Sequence, residues 1–387
     1  MWITNARLVG HPETAPHERA HLEFDAAHRL RQVQTKLPEP LPVETLDLAD
    51  DFLSLGGVDL QINGALGFPF PDLQPGEAGS QQLTKIGEFL WAQGVDAYTP
   101  TVVTTSVQKF QNALRCLHQF RPSPTVPTAK ILGAHLEGPC LNPSKRGAHP
   151  EQHLQPLTAA SMEAVIGEYG KQVSIITLAP ELDTSGRTLK ALRTQLPDSA
   201  VISLGHSLAS DEEAAQAFTA GATMVTHAFN AMPALHHRNP GLLAAALTTE
   251  RVWCGFIADG QHVSPRMLKL LLQCRPEDGL FLVSDALSPL GLPDGDYPWD
   301  ERTITVTEGT ARLPNGTLSG TTRPLLHAVI NLVRWRCCSP ERAIALATDA
   351  PRRAMGLPGI REGLAMHQFL RWTYRPESRE ISWERLK

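Results

Sequence analysis

The chain has 387 residues, 42% hydrophobic and 19% charged, with a formal net charge of −5 and a pI near 6.3. This composition excludes a disordered chain and a collagen-like fibre. It leaves no basic excess to neutralise a phosphate backbone, so no nucleic-acid partner is expected, and an anionic ligand must be held by a few local positive groups. At about 150 residues per domain, the length allows two or three domains, or one large barrel with a satellite. Six cysteines form no C-x-x-C pair and read as thiols of a reducing compartment. No apolar leader is visible and no run approaches ~18 apolar residues, so a cytoplasmic protein without a membrane partner is expected.

Taken in chain order, Trp2–Val9, His21–Phe24 and Leu30–Val33 are short apolar runs between polar and proline residues. They predict strands of a small β unit, followed by a connector at Pro38, Pro40 and Pro42. At the other end, Gln368–Tyr374 and Glu380–Glu384 flank Arg-Pro-Glu-Ser-Arg and predict a hairpin. Residues 1–52 and 359–387 are therefore expected to form one small β-sandwich domain. The middle, 53–358, repeats short apolar runs: Leu53–Ile62, Ala97–Val102, Ile131–Leu136, Val173–Leu178, Ala200–Leu204, Ala222–Thr226, Val252–Ala258 and Leu280–Ser284. Helix-period segments fall between most of them, namely Gln81–Gln93, Ser106–Leu117, Ala159–Tyr169, Asp211–Ala220 and Pro265–Gln273. Thr105 or Ser106, Ser161, Ser210 with Glu213, and Ser264 ahead of Pro265 are candidate N-caps. Eight such alternations predict a (β/α)8 TIM-like barrel. A doubly wound sheet would gather reactive residues at one switch point, whereas here they follow many strands.

Glu137, His206 and His227 each follow an apolar run. In a barrel, all three converge at the C-terminal mouth. One carboxylate and two imidazoles with a position left open suit a catalytic zinc ion, although a lone histidine after a strand is more often a cap or a core hydrogen-bonder. Asp285 closes the eighth run and could be a ligand, a general base or a helix cap. His262 follows the seventh run, and Asn230, His236, His237 and Arg238 follow the sixth. Arg238 could clamp an oxyanion or phosphate, or be a solvated loop charge. Lys145, Arg146 and His149 carry the same ambiguity. The Gly/Ser/Thr-rich 315–322 stretch precedes a helical segment, Leu325–Val333, and could present backbone amides to a ligand. Cys140 reads as a packing residue.

These motifs resemble the N-acetylglucosamine-6-phosphate deacetylase family of the amidohydrolase superfamily. The resemblance rests on GGVDLQINGALG, GAHLEGPCLNPSKRGAHP, ISLGHSLAS, VTHAFNAMPALHHRNPGL, IADGQHVSP, LVSDALSPLG and GTLSG, in that order, over roughly residues 50–357. It implies Glu137, His206 and His227 as metal ligands and Asp285 as the catalytic acid/base, with His149 near the scissile amide. Ala148, Asn230, Ala231, Arg238, His262 and the Leu318, Ser319, Gly320 stretch match sugar-phosphate contacts. It further implies that Arg238 reaches the active site of a neighbouring subunit, hence a homodimer or a dimer of dimers. Many amidohydrolases carry H-x-H after the first strand and hold a second metal. Here Gln61 and Asn63 stand at those positions. Neutral amides are poor zinc ligands, so one divalent metal per subunit, zinc, is expected. The segment EGLAMHQFLRW departs from the family's C-terminal Gly-Lys-x-Ala-Asp-Leu pattern.

The implied reaction is hydrolysis of the acetamide of an amino-sugar phosphate. Competing readings are the galacto epimer of that substrate, a dihydroorotase-like cyclic-amide hydrolase, and a non-catalytic sugar-phosphate sensor. The missing H-x-H and the absence of a lysine in ITLAPEL after the fourth run oppose the second. The full set of Glu137, His206, His227 and Asp285 opposes the third.

Overall fold

A computed structural model of the protein describes residues 1–11, 18–123, 126–276 and 278–387. Eight parallel strands occupy Gly57–Ile62, Val95–Val103, Ala134–Glu137, Val173–Leu178, Val201–Leu204, Ala222–Val225, Trp253–Phe256 and Leu280–Leu282. They pair in chain order. The eighth returns to the first through Asp285 N–H donating to the Gln61 carbonyl (2.9 Å) and Asn63 N–H donating to the Ala286 carbonyl (2.7 Å). These strands are buried on both faces, which is why they read as continuous apolar runs. The amphipathic helices outside bury an apolar stripe against the barrel. In Val107–Gln119 the stripe is Phe110, Ala113, Leu114 and Leu117, at helical spacing. The architecture is the (β/α)8 barrel that the alternation predicts.

The caps follow the sequence with one correction. Ser106 accepts from Lys109 N–H (3.3 Å), Ser264 accepts from Met267 N–H (3.4 Å), and Ser210 with Glu213 forms a capping box. Before the third helix, Ala159–Ile166, Thr158 is the cap and Ser161 donates its backbone N–H to it (3.1 Å). Ser161 lies inside the first turn, where its N–H needs a partner rather than supplying one.

Both chain ends build a seven-stranded sheet from Trp2–Leu8, Ala20–Phe24, Leu30–Gln34, Thr45–Asp47, Phe52–Leu55, Phe369–Arg375 and Glu380–Arg385. It has its own apolar cluster, including Ile3, Leu22, Leu53 and Phe369. Phe24 meets Phe369 edge to face at 5.9 Å, so residues from opposite ends of the sequence pack together. The run read as one strand, Leu53–Ile62, is two. Phe52–Leu55 pairs in the terminal sheet, and Gly57–Ile62 opens the barrel. The break is at Gly56, whose N–H donates to Asp96 (2.8 Å) and whose carbonyl accepts from Arg352 (2.7 Å). A Cβ at Gly56 would run into the Asp96 carboxylate.

A four-stranded antiparallel sheet, Gly295–Trp299, Arg302–Thr307, Thr310–Arg312 and Leu318–Thr321, follows the eighth barrel strand. The sequence reading has only a loop over 315–322. The strands are short, and alternate residues such as Thr303, Thr305 and Thr307 are exposed. Turns at Asp300 and at Glu308–Gly309 use left-handed backbone. The sheet is tied to the barrel mouth by Thr321 N–H donating to the Asp285 carbonyl (3.0 Å) and Leu287 N–H donating to the Thr321 carbonyl (2.9 Å). Among the described residues, no helix is long and apolar enough to cross a membrane.

Candidate active site

Glu137 is the last residue of the third barrel strand, while His206, His227 and Asp285 follow the ends of the fifth, sixth and eighth. The last three adopt left-handed backbone, with φ of +49°, +31° and +46°. Such conformations cost on the order of 1–3 kcal/mol each in non-glycine residues and persist where surrounding structure imposes them. Here they end the strands abruptly at the mouth. Gly138 has φ +92°, and a Cβ there would strike the Thr104 hydroxyl. Only glycine therefore lets the chain turn away directly after Glu137.

The side chains converge. His206 Nε2 lies 3.0 Å and His227 Nε2 lies 3.1 Å from Glu137 Oε1, and the two ring nitrogens are 3.0 Å apart. One donor atom from each lies within 4.8 Å of the others. His206 Nδ1 donates to the Lys145 carbonyl (2.8 Å). A carbonyl can only accept, so in the neutral ring Nε2 presents a lone pair to the Glu137 oxygen. Lone pairs facing each other at this distance call for a proton or a cation between them. His227 Nδ1 has no hydrogen-bond partner among the described residues.

Gln61 and Asn63 are buried donors beside the two carboxylates. Gln61 Nε2 lies 3.2–3.3 Å from both Glu137 oxygens and 3.2 Å from Asp285 Oδ1. Asn63 Nδ2 donates to Asp285 Oδ1 at 2.8 Å. Gln61 bridges the two carboxylates and Asn63 holds Asp285, and neither adds a charged ligand. Burial, together with the charge of Glu137, pushes Asp285 up to about 6. Burial also works against charge on Glu137, yet the His206 and His227 rings beside it hold its carboxyl well below the usual range. His149 Nε2 is 3.9 Å from Glu137 Oε1, and its Nδ1 accepts from Thr104 N–H (3.3 Å). That bond leaves the proton on Nε2, aimed at the site. Burial and the neighbouring His206 push the His149 ring down to about 3, so it is a neutral donor.

These groups form the floor of a cavity of about 650 Å³. Ala148, Asn230, Ala231, His262, Leu318 and Ser319 line it. Gly320 is buried behind them at φ +146°, where a Cβ would strike the Asp285 carbonyl. Arg238 is exposed and outside the cavity of its own chain. Cys140 is buried, its thiol pushed up to about 12, as expected of a packing residue. Sequence reasoning gave no role to Asp259, which ends the seventh run and holds His262 Nδ1 at 2.7 Å. It also missed Arg302, which donates to the Ala148 carbonyl (2.7 Å), and Trp299 at the cavity wall. The pattern Asp-x-x-His could have revealed Asp259. Arg302 and Trp299 required the inserted sheet.

No protein-family model matches the chain. The N-acetylglucosamine-6-phosphate deacetylase of Bos taurus is 36% identical over 336 residues, spanning 83% of this chain and 80% of that protein. The N-acetylgalactosamine-6-phosphate deacetylase of Escherichia coli O157:H7 is 32% identical over 322 residues, spanning 83% of each. Among solved structures, the N-acetylglucosamine-6-phosphate deacetylase of Thermotoga maritima matches with a TM-score of 0.78 at 27% identity, covering 98% of this chain and 96% of that one. A mutant of the Mycobacterium smegmatis enzyme, solved in complex with N-acetyl-D-glucosamine-6-phosphate, matches with a TM-score of 0.81 at 25% identity, covering 100% and 97%. Similarity of this extent, in both sequence and barrel, means that the chain belongs to the N-acetylglucosamine-6-phosphate deacetylase family of metal-dependent amidohydrolases.

Proposed function

We propose that the chain hydrolyses the acetamide of N-acetyl-D-glucosamine 6-phosphate to D-glucosamine 6-phosphate and acetate, in amino-sugar catabolism or recycling. The observation that carries this reading is the placement of Asp285 beside the Glu137, His206 and His227 cluster, on the floor of a sugar-sized cavity. The donor set fits a divalent cation. It combines one carboxylate and two imidazoles, and His206 is oriented by a carbonyl behind it. One zinc ion per subunit suits this set, because Gln61 and Asn63 are neutral and already engaged with the carboxylates. A cation bound there supplies charge that acidifies water and polarises a carbonyl.

The chain's own residues do the rest. Asp285 takes a proton from the attacking water and returns it to the departing nitrogen as the C–N bond breaks. Without that transfer the leaving group would be an amide anion. His149 aims a neutral N–H at the oxygen that gains charge. His262, braced by Asp259, binds the sugar phosphate together with Asn230, Ala231, Ala148 and the Leu318, Ser319, Gly320 stretch. Arg238, exposed in its own chain, would serve a neighbouring subunit's phosphate in a homodimer. Residues 1–52 and 359–387, extended by the strand Phe52–Leu55, form the small β domain of this reading, and the chain from Gly57 to residue 358 the catalytic barrel. Six free thiols suit a cytoplasmic enzyme.

The galacto epimer is the second reading, raised by the name of the Escherichia coli relative. Acetate release from matched N-acetylhexosamine 6-phosphates, with metal content measured on the same sample, tests both readings. Release should require the metal, reach full rate at one zinc per chain, and favour the gluco epimer. A zinc-loaded protein that releases no acetate from either epimer would overturn the hydrolase reading.

A further inference from the structure

Directly beneath the candidate metal ligands, the barrel interior is polar. His135 Nε2 lies 2.7 Å from Thr177 Oγ1, Thr177 Oγ1 lies 2.7 Å from Thr226 Oγ1, and Ser203 Oγ lies 2.6 Å from Thr226 Oγ1. On the other side, His135 Nδ1 meets the Leu60 carbonyl at 3.1 Å and Thr101 Oγ1 at 3.4 Å. Thr101 Oγ1 in turn accepts Ile62 N–H (3.0 Å). These groups come from the first six barrel strands or the residue following one, and the five side chains are at most 4% exposed. Barrel interiors are ordinarily filled by branched aliphatic side chains, and a buried polar network is tolerable only when its members are satisfied.

We propose that His135 is a positioning residue for the metal centre, acting through this hydrogen-bonded layer on the strand ends that carry Glu137, His206 and His227. The proposal rests on those three residues being the metal ligands. His135 is two residues before Glu137 on one strand, so both side chains point to the same side. Thr226 immediately precedes His227, and Ser203 lies three residues before His206. Between them, a Cβ on Gly205 would lie 3.0 Å from both Thr177 and Thr226, so the fifth strand sits tight against this layer.

The imidazole also sets the sense of the chain of bonds. The Leu60 carbonyl can only accept, so Nδ1 donates and Nε2 accepts from Thr177. The Thr177 oxygen then accepts from Thr226, and the Thr226 oxygen accepts from Ser203. One neutral ring in one tautomer therefore orders hydroxyls on the fourth, fifth and sixth strands. A layer of aliphatic side chains could fill the space but would not fix the relative height and rotation of the strand ends.

The test uses the full chain and zinc. Zinc affinity is measured by chelator competition, and cobalt(II) is substituted so that its visible absorption reports ligand geometry. His135→Leu and Thr177→Val should each weaken zinc binding about 10–100-fold, the effect typical of losing a group that orients a ligand, and both should alter the cobalt spectrum. His135→Gln, whose amide reaches the Thr177 hydroxyl, should stay within a few-fold of wild type. His135→Asn, which reaches only towards Leu60, should not. If His135→Leu fails to fold, Thr177→Val and Thr226→Val decide. Wild-type zinc affinity and an unchanged cobalt spectrum in these variants, however much the metal-free protein is destabilised, would overturn the proposal. Glu137→Gln separates the two readings. If it still holds one zinc as tightly as wild type, the ligand assignment is wrong and the proposal falls with it.

Discussion

Asp285 is pushed towards protonation by burial and by Glu137, while Asn63 and Gln61 hold it in place through amide donors. A carboxyl raised towards neutrality can both take and return a proton, which the leaving amine requires. Asp285→Asn keeps the shape but not the shuttle. It is expected to bind zinc normally and to lose about 10²–10⁴ in kcat; a loss of only a few-fold would assign the proton transfer elsewhere. Asp59 offers a test of stability. Its carboxyl is buried against Ser284 N–H (3.1 Å), and burial raises it to about 7. The unfolded carboxyl titrates near ~3.9, so between these values the folded chain holds a proton that the unfolded chain has lost. The contribution is full below about pH 4 and falls as pH rises towards 7. Asp59→Asn cannot ionise and should lose less thermal stability than wild type across that range. Parallel melting profiles would show that Asp59 is not linked to folding.

At the scale of elements, helix starts were legible because capping is local. Ser210 and Glu213 satisfy each other's backbone N–H groups, and Ser210→Ala should lower stability by about 1 kcal/mol with unchanged kcat, read from denaturant midpoints and acetate release. The inserted sheet was not legible, since its strands are short and half exposed, yet it lines the cavity through Trp299, Leu318 and Ser319. Arg302, at a hairpin turn, holds the Ala148 carbonyl beside His149. Arg302→Ala should lower kcat/KM by up to about 10²-fold, the effect of a small misplacement near reacting groups, without loss of bound zinc. An unchanged kcat/KM would mean that the loop holds His149 unaided.

Across the whole molecule, the terminal sheet and the barrel meet at a buried ion pair. Arg352 Nη2 lies 2.8 Å from Asp96 Oδ2, and both groups also hold Gly56, where the chain passes from one sheet into the other. Arg238 lies on the surface, outside the cavity of its own chain, so the proposed phosphate contact would have to cross a subunit boundary. Arg238→Ala should raise KM for the 6-phosphate by about 10–150-fold, equivalent to a charge-assisted bond of ~1.5–3 kcal/mol, and change little for the unphosphorylated sugar. Heterodimers of Arg238→Ala and Asp285→Asn subunits should regain activity, because one site then has both intact groups. No recovery in verified heterodimers would place Arg238 within its own subunit's function or outside function altogether.

The alternation of apolar runs with helical periods narrowed the fold to a parallel α/β sheet, since a strand buried on both faces must be apolar throughout, and reactive residues after many strands, not at one switch point, pointed to the barrel. Glu137, His206, His227 and Asp285 stood out because each interrupts such a run at the end that faces the mouth. Terminal packing, by contrast, depends on Phe24 meeting Phe369, a contact between residues that no local pattern relates. The left-handed turns at His206, His227 and Asp285, the neutral Nε2–H of His149, and the polar layer around His135 were likewise decided only in three dimensions. Each is set by backbone groups from other strands or loops, and hydrogen bonds between distant segments leave no periodicity in the chain.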